Sequence, residues 1–248
     1  MRPECQVTCV RLVRVNTMTI TFQHKKMEAT EVVAKDSYDQ LGSSAGFYAR
    51  YGKRALDLAI VLPSLPIIIP IVLLCALANL ASRNPVFYTQ LRLGQHGRVF
   101  RIWKLSTMRP NAEKMLQDLL ANDPALAREW ETTQKLKDDP RVTRLGDFLR
   151  RTSLDEIPQL FNVLKGDMSL LGPRPMMLNQ IELYGPTLDI YLSMKPGISG
   201  KWQVSERNNV HFRRRAQIDA EYASELSLAS DLKLVWETIR TLIRSTGY

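Results

Sequence analysis

The feature that most limits how this chain can fold is Leu58–Ser82, twenty-five consecutive residues without a charged side chain. A straight helix of that length, rising about 1.5 Å per residue, reaches across a bilayer core of roughly 30 Å. Three prolines complicate it. Pro63, Pro66 and Pro70 each remove a backbone donor and press on the preceding turn, which predicts an interrupted helix. The flanks add a second constraint, because Arg50, Lys53 and Arg54 precede the segment and Arg83, Arg92, Arg98 and Arg101 follow it. Basic residues favour the cytoplasmic side, so if both flanks obey that rule the segment enters and leaves through one face. The expectation is a re-entrant helix-break-helix that dips into one leaflet. A single spanning helix kinked by proline and a buried core helix are the alternatives.

The net charge of +9 matters through its placement. Residues 51–109 hold eight basic side chains against one acid, whereas residues 110–248 hold nineteen of each. A nucleic-acid-binding module needs a coherent basic face, so none is expected. The 45% hydrophobic and 24% charged composition excludes a wholly disordered or collagen-like chain, and a mean hydropathy of -0.18 argues against a polytopic membrane protein. Cys5, Cys9 and Cys75 form no disulfide framework, and His24, His96 and His211 have no zinc spacing, which fits a reducing, cytoplasmic setting. Residues 1–45 carry no apolar run suited to a signal peptide and read as a poorly ordered or atypical N-terminus. The chain thus divides into 1–45, a membrane segment with basic flanks over 46–84, and a folded domain over 85–248.

Within that domain Pro85–Lys104 reads as a β-hairpin, with Val86–Thr89 and Val99–Trp103 around Gly94-Gln95-His96-Gly97. Helices are predicted over Ala112–Ala121 and Ala125–Lys137, the second ended by Asp138-Asp139-Pro140. In the last helix Leu232, Val235, Trp236, Ile239 and Leu242 recur at helical spacing and read as core packing, while Arg240 and Arg244 leave an interfacial role open. No Gly-rich phosphate loop is present, which argues against ATP hydrolysis and hydride transfer.

The densest polar cluster is Arg141–Pro158, in which four arginines precede Asp155-Glu156 and a proline suited to a first helical turn. Near a helix N-terminus with cations close by, both carboxylates are expected to stay ionised at low pH and to attract phosphate or a metal. Ser153-Leu154-Asp155-Glu156 is also a capping box, a purely structural reading. Farther on, Gly172-Pro173-Arg174-Pro175 is a rigid turn holding a guanidinium between two prolines, suited to bidentate phosphate contact or simply a bend with Arg174 in solvent.

Thr152–Ser169, which contains Leu154-Asp155-Glu156-Ile157-Pro158-Gln159-Leu160-Phe161-Asn162, together with Gly172-Pro173-Arg174-Pro175, resembles the core signature of the bacterial sugar transferases, the monotopic phosphoglycosyl transferases. The resemblance extends to Lys53-Arg54 with Asp57, to Lys104–Met108 and to Lys195–Val204, and covers roughly four fifths of the chain. It implies an α-rich α+β fold: a monotopic membrane protein with a re-entrant helix-break-helix, interfacial amphipathic helices and a small β-hairpin. It also implies residence in the bacterial inner membrane, with 85–248 as a catalytic domain on the cytoplasmic face. The implied reaction moves a hexose 1-phosphate from a UDP-sugar to undecaprenyl phosphate, with Mg²⁺ and a covalent intermediate. By motif position Asp155 is the implied nucleophile and Glu156 its acidic partner and magnesium ligand. Lys104, Arg150, Pro173, Arg174, Pro175, Arg207 and Asp219 are implied around the substrates, with Lys53, Arg54 and Pro70 in the membrane anchor. Three positions depart from the pattern: Ile69 precedes Pro70 where the family has Ser, Ser106 replaces a basic residue, and Glu206 replaces Gly before Arg207.

The residue types suit that chemistry. A carboxylate can attack phosphorus and split a transfer between two bulky substrates into two displacements. Cations offset the repulsion between the anionic nucleophile and a diphosphate. Exchange of one phosphoanhydride for another needs no ATP site. The stretch around Tyr184-Gly185-Pro186 and Ser205–Asn209 is similar to exopolysaccharide-initiating members that use UDP-galactose or UDP-glucose. An inactive membrane-anchored scaffold of a glycan assembly complex is the competing expectation, and a homo-oligomer is left open.

Overall fold

In a computed structural model, which describes residues 46–133, 136–205 and 212–243, the apolar segment forms one helix. This helix, α1 (Lys53–Ala81), follows a π-helical turn over Tyr48–Gly52 and continues through Pro63, Pro66 and Pro70. The interruption expected at the prolines is therefore absent. The reason is tertiary, because both ends of α1 are pinned. Its buried residues Asp57, Val61, Cys75 and Asn79 lie along one stripe at helical spacing, whereas Ile67, Ile69, Leu73, Leu74, Leu77 and Leu80 are exposed.

At the N-terminal end, Lys53 Nζ donates to Asp231 Oδ2 at 2.8 Å and to the Tyr222 hydroxyl at 2.7 Å. Tyr48 and Tyr222 each donate to the same carboxylate at 2.6 Å. Arg54 donates to the carbonyls of Val163 and Leu164 at 2.5 and 2.8 Å, and Asp57 accepts from the Ser169 hydroxyl and the Leu170 amide. Lys53 and Arg54, read as anchor residues, thus have internal partners. At the C-terminal end Asn79 is buried and donates to the Ser106 carbonyl at 3.2 Å, while Cys75 packs on Leu105 and Leu149.

The hairpin forms as expected, with longer strands: β1 (Phe87–Leu93) pairs antiparallel with β2 (Val99–Leu105). Its turn uses the left-handed conformation at His96 (φ 57°) and Gly97 (φ 76°). The next helices are α2 (Ala112–Asn122) and α3 (Pro124–Thr133). The expected extension of α3 to Lys137 is not observed, since Lys137 lies in a turn and its amide donates to the Glu129 side chain at 2.6 Å. Leu136 beside it is buried, which draws the chain out of the helical path. Then follow α4 (Arg144–Arg151), α5 (Gln159–Lys165) and β3 (Ser169–Leu171). After α6 (Ile181–Tyr184) and α7 (Leu188–Ser193), β4 (Gly197–Ser199) returns parallel to β3. This second sheet was not expected from sequence. It depends on Gly172 and Gly197, because a Cβ on Gly197 would collide with the Gly172 backbone.

The chain closes with α8 (Lys201–Ser205), α9 (Phe212–Ser224) and α10 (Leu228–Ile243). The apolar stripe of α10 is not core. Leu228, Leu232, Trp236 and Ile239 are exposed, whereas Asp231 and Leu234 are buried and Val235 packs beside them. The helix carries two candidate faces, and the contact of Asp231 with Lys53, Tyr48 and Tyr222 selects the one that turns inward. Leu242 and Arg244 lie outside the described side chains.

Asp231 is fully buried and Lys53 nearly so, and removing one partner of such a pair leaves an uncompensated charge. Asp231→Ala is expected to cost about 3–5 kcal/mol. Lys53→Met with Asp231→Leu should cost less than Asp231→Ala alone. Thermal unfolding of the detergent-solubilised protein reads both.

Candidate active site

The site is assembled around Glu156. Lys104 reaches it from β2, a strand held on one side by β1 and on the other by Asn162 of α5. The Asn162 amide accepts from the Trp103 backbone at 3.1 Å and donates to the Arg101 carbonyl at 2.7 Å, so it satisfies two β2 groups and fixes the strand next to α5. Asn162 is the positioning residue that sequence reading passed over. Its signal was only its place within the motif.

The Asp155-Glu156 segment is placed by the helix before it. Thr143 caps α4 by accepting from the Gly146 amide at 2.8 Å, and a Cβ on Gly146 would collide with the Thr107 carbonyl, so only glycine lets α4 lie this close to the end of β2. Arg150 then donates to the Thr107 hydroxyl at 3.0 Å. Ser153 leaves the helix in the left-handed region (φ 57°) and makes no side-chain cap, which eliminates the capping-box reading. A single 3₁₀ turn, Leu154–Glu156, follows, with Leu154 packed against the Cys75, Leu105 and Leu149 cluster. Pro158 caps α5 just outside its first residue, where a missing donor costs little.

Glu156 Oε1 accepts from Lys104 Nζ at 2.6 Å and from Arg174 at 3.1 Å. Arg174 arrives from the turn after β3, where Pro173 and Pro175 are buried and the guanidinium between them is exposed. That turn is fixed by the Gly197 amide donating to the Pro173 carbonyl at 2.8 Å. Arg174 is therefore a site residue and not a solvated bend. Asp155 Oδ2 lies 3.9 Å from Lys104 Nζ, a looser approach.

The two adjacent carboxylates differ in acidity. Burial opposes ionisation of Glu156, but Arg174 and Lys104 outweigh it and hold its pKa down to about 2. For Asp155 burial prevails over Lys104 and Arg150, with Glu156 adding repulsion, so its carboxyl is pushed above the usual range. The expectation that both carboxylates stay ionised at low pH holds for Glu156 and fails for Asp155. A 3₁₀ turn is too short to provide a helix terminus, and the nearest cations are already spent on Glu156.

Asp219 lies one layer back. It is buried, accepts from the Tyr184 hydroxyl at 2.9 Å, and is pushed up to about 7, chiefly by burial. Arg215 connects this layer to the site, feeling Arg174 on one side and Asp219 on the other, with its guanidinium 4.6 Å from the Trp202 ring centroid. Arg207 lies outside the described residues.

The donor set suits a divalent cation shared with a substrate and not one enclosed by protein. Among the described residues no three His, Cys, Asp or Glu side chains converge. Glu156 Oε1 is occupied by two cations, which leaves its second oxygen and the Asp155 carboxylate. Mg²⁺ is commonly held by one or two carboxylates with substrate phosphates completing its shell. A separate cleft of about 480 Å³ at the end of α1, lined by Arg83, Arg109 and Thr143 among others, contains no carboxylate.

Two neighbouring carboxylates of opposed acidity are faced by Lys104, Arg150 and Arg174. The chain belongs to the bacterial sugar transferase family, whose model matches residues 48–245. It is 42% identical over 199 residues to the undecaprenyl-phosphate galactose phosphotransferase of Salmonella typhimurium, covering 80% of this chain and 42% of that protein. The exopolysaccharide production protein ExoY of Sinorhizobium fredii is 40% identical over 196 residues, 79% of this chain and 87% of its own. The UDP-glucose:undecaprenyl-phosphate glucose-1-phosphate transferase of Escherichia coli is 34% identical over 242 residues, 94% of this chain and 48% of its own. The chain thus spans about two fifths of the Salmonella relative and about half of the E. coli one.

Folded Asp219 holds its proton to about pH 7, against about 3.9 for an unfolded aspartate. Its contribution to stability is therefore full below about pH 4 and fades as pH rises through 7. Asp219→Asn keeps an acceptor for Tyr184 and cannot ionise. Chemical denaturation between pH 4 and pH 8 should show a decline of the order of 3 kcal/mol in the parent protein that the variant lacks.

Proposed function

We propose that this protein transfers a hexose 1-phosphate from a UDP-sugar to undecaprenyl phosphate and releases UMP, with galactose or glucose as the sugar. The observation that carries this reading is the unequal treatment of the two carboxylates: Glu156 is bonded at Oε1 by both Lys104 and Arg174, while Asp155 has only the distant approach of Lys104. One holds cations in position and the other is left free to react. The relatives, by their names, supply the sugars, the lipid carrier and the link to exopolysaccharide synthesis.

In the first step an Asp155 carboxylate oxygen attacks the phosphorus that bears the sugar. An acyl phosphate bond forms, the phosphoanhydride bond to UMP breaks, and UMP leaves with the bonding electrons. In the second step a phosphate oxygen of the lipid attacks the same phosphorus and the acyl phosphate bond breaks, which restores the Asp155 carboxylate. Lys104 and Arg174 neutralise charge that gathers on the transferred phosphoryl group, and Arg150 supports the Asp155 side of the site. The second oxygen of Glu156, with Asp155, would hold Mg²⁺, which supplies further neutralisation of the diphosphate.

A monotopic arrangement at the cytoplasmic face of the inner membrane suits the same reaction. Its support is that Arg54 and Asn79, near the two ends of the apolar helix, both bond to the same folded domain. A helix crossing the bilayer would carry one of those ends to the far side. The exposed Leu232, Trp236 and Ile239 face of α10 adds a surface suited to the lipid boundary.

Incubating the purified protein with a panel of UDP-sugars, undecaprenyl phosphate and Mg²⁺ should release UMP with UDP-galactose or UDP-glucose, and an inactive scaffold would release none. Asp155→Asn should abolish both turnover and the labelled phosphosugar adduct seen by mass spectrometry, and an adduct on that variant would remove Asp155 as nucleophile. In the parent protein, adduct formation should rise with pH through a midpoint above that of a free aspartate, because burial raises the Asp155 carboxyl and it must lose its proton first.

Cysteines introduced at Arg50 and Arg83, after replacement of Cys5, Cys9 and Cys75, should react with an impermeant thiol reagent from one side of inverted vesicles only. Labelling from opposite sides would sink the monotopic arrangement.

A further inference from the structure

Arg92 is a basic residue of the hairpin that neither the motifs nor the reaction above employ. Strand pairing sets Arg92 opposite Phe100 and Tyr88 opposite Lys104, and side chains two apart share a face. Arg92 and Lys104 therefore project from the same face of the hairpin, the one turned toward Glu156. Both line one narrow crevice with Glu156, Arg174 and Pro175.

The hydrogen bonds of Arg92 are incomplete. One terminal nitrogen donates to Gln90 Oε1 at 2.6 Å, but its Nε is buried and has no partner. No carboxylate within ion-pair distance of Arg92 occurs among the described residues. A buried guanidinium N–H without an acceptor is unfavourable and rare, and the surrounding charge points to an anionic ligand for this side chain. Burial and the repulsion of Arg174 both act against the Arg92 cation, and Glu156, already bonded to Lys104 and Arg174, offsets them only in part. Three cations and one ionised carboxylate line the crevice, so it carries an excess of positive charge.

We infer that Arg92 binds a phosphoryl oxygen of a substrate in this crevice, completing a three-cation clamp with Lys104 and Arg174. The inference rests on the proposed reaction for the identity of the phosphate, which is either the diphosphate of the UDP-sugar or the lipid phosphate. Arg92 and Lys104 hold the group from the hairpin side, across from the Pro173-Arg174-Pro175 turn.

Steady-state kinetics of Arg92→Met and Arg92→Lys, each with its thermal unfolding temperature, test this with UDP-galactose or UDP-glucose and undecaprenyl phosphate varied separately. Arg92→Met should raise KM for one substrate by about tenfold or more, the loss of one charge-assisted contact, and Arg92→Lys should recover part of it. A rise confined to the UDP-sugar assigns the clamp to the diphosphate, and a rise confined to undecaprenyl phosphate assigns it to the lipid phosphate. A folded Arg92→Met with both KM values within about twofold of the parent overturns the inference.

Should both variants fail to fold, phenylglyoxal modification of the parent protein, mapped by peptide mass spectrometry, decides instead. Shielding of Arg92 by UDP or by undecaprenyl phosphate supports the clamp, and modification unaffected by either overturns it. UMP release by the parent protein is the separate control. If it is absent the proposed reaction fails, while the shielding measurement still judges Arg92 as a phosphate ligand.

Discussion

Glu156 joins three segments that have no other reason to meet: the end of β2 through Lys104, the turn after β3 through Arg174, and its own 3₁₀ turn. Removing a carboxylate from water is strongly unfavourable, and here two cations at hydrogen-bond distance reverse the balance. That junction defines the site. Without it the hairpin and the proline turn present two cations to solvent, and nothing limits how close a phosphate can be held to Asp155.

The junction is reinforced by connections farther out. Gly146 brings α4 against Thr107, Asn162 ties β2 to α5, and Gly172 with Gly197 brings β3 and β4 together under the turn that carries Arg174. The apolar helix belongs to the same assembly. Val61 packs with Phe100, Ile102, Val163 and Met168, and Cys75 packs with Leu105 and Leu149, so both halves of α1 support β2. The geometry of Lys104 is thus set in part by the apolar helix.

Much of this was legible in the sequence. The hairpin follows from β-prone runs around a Gly-containing turn, and Asp155, Glu156, Lys104 and Arg174 converge as the motifs imply. What was missed depends on contacts between distant segments. The inward face of α10 is chosen by Asp231 meeting Lys53 and two tyrosines, a bond across more than 170 residues that no local period reveals. The β3–β4 pair is three residues long on each side, too short for a periodic signal. The prolines of α1 weaken helix locally, but packing at both ends prevails over that preference. Arg92 looked like one more flanking cation because its orientation comes from the strand register.

Acidity illustrates the same limit at finer scale. Asp155 and Glu156 are neighbours in sequence and share one set of cations, so a reading by proximity treats them alike. Direction separates them. Lys104 and Arg174 aim their donors at Glu156 Oε1, while Asp155 receives only their longer-range field against its own burial. Opposed shifts in a carboxylate pair are how one site assigns two roles to the same functional group. The acid that is easier to ionise holds two cations at Oε1 and is the weaker base. Its partner, once deprotonated, keeps more basicity, which is why the proposed reaction gives it the attack on phosphorus.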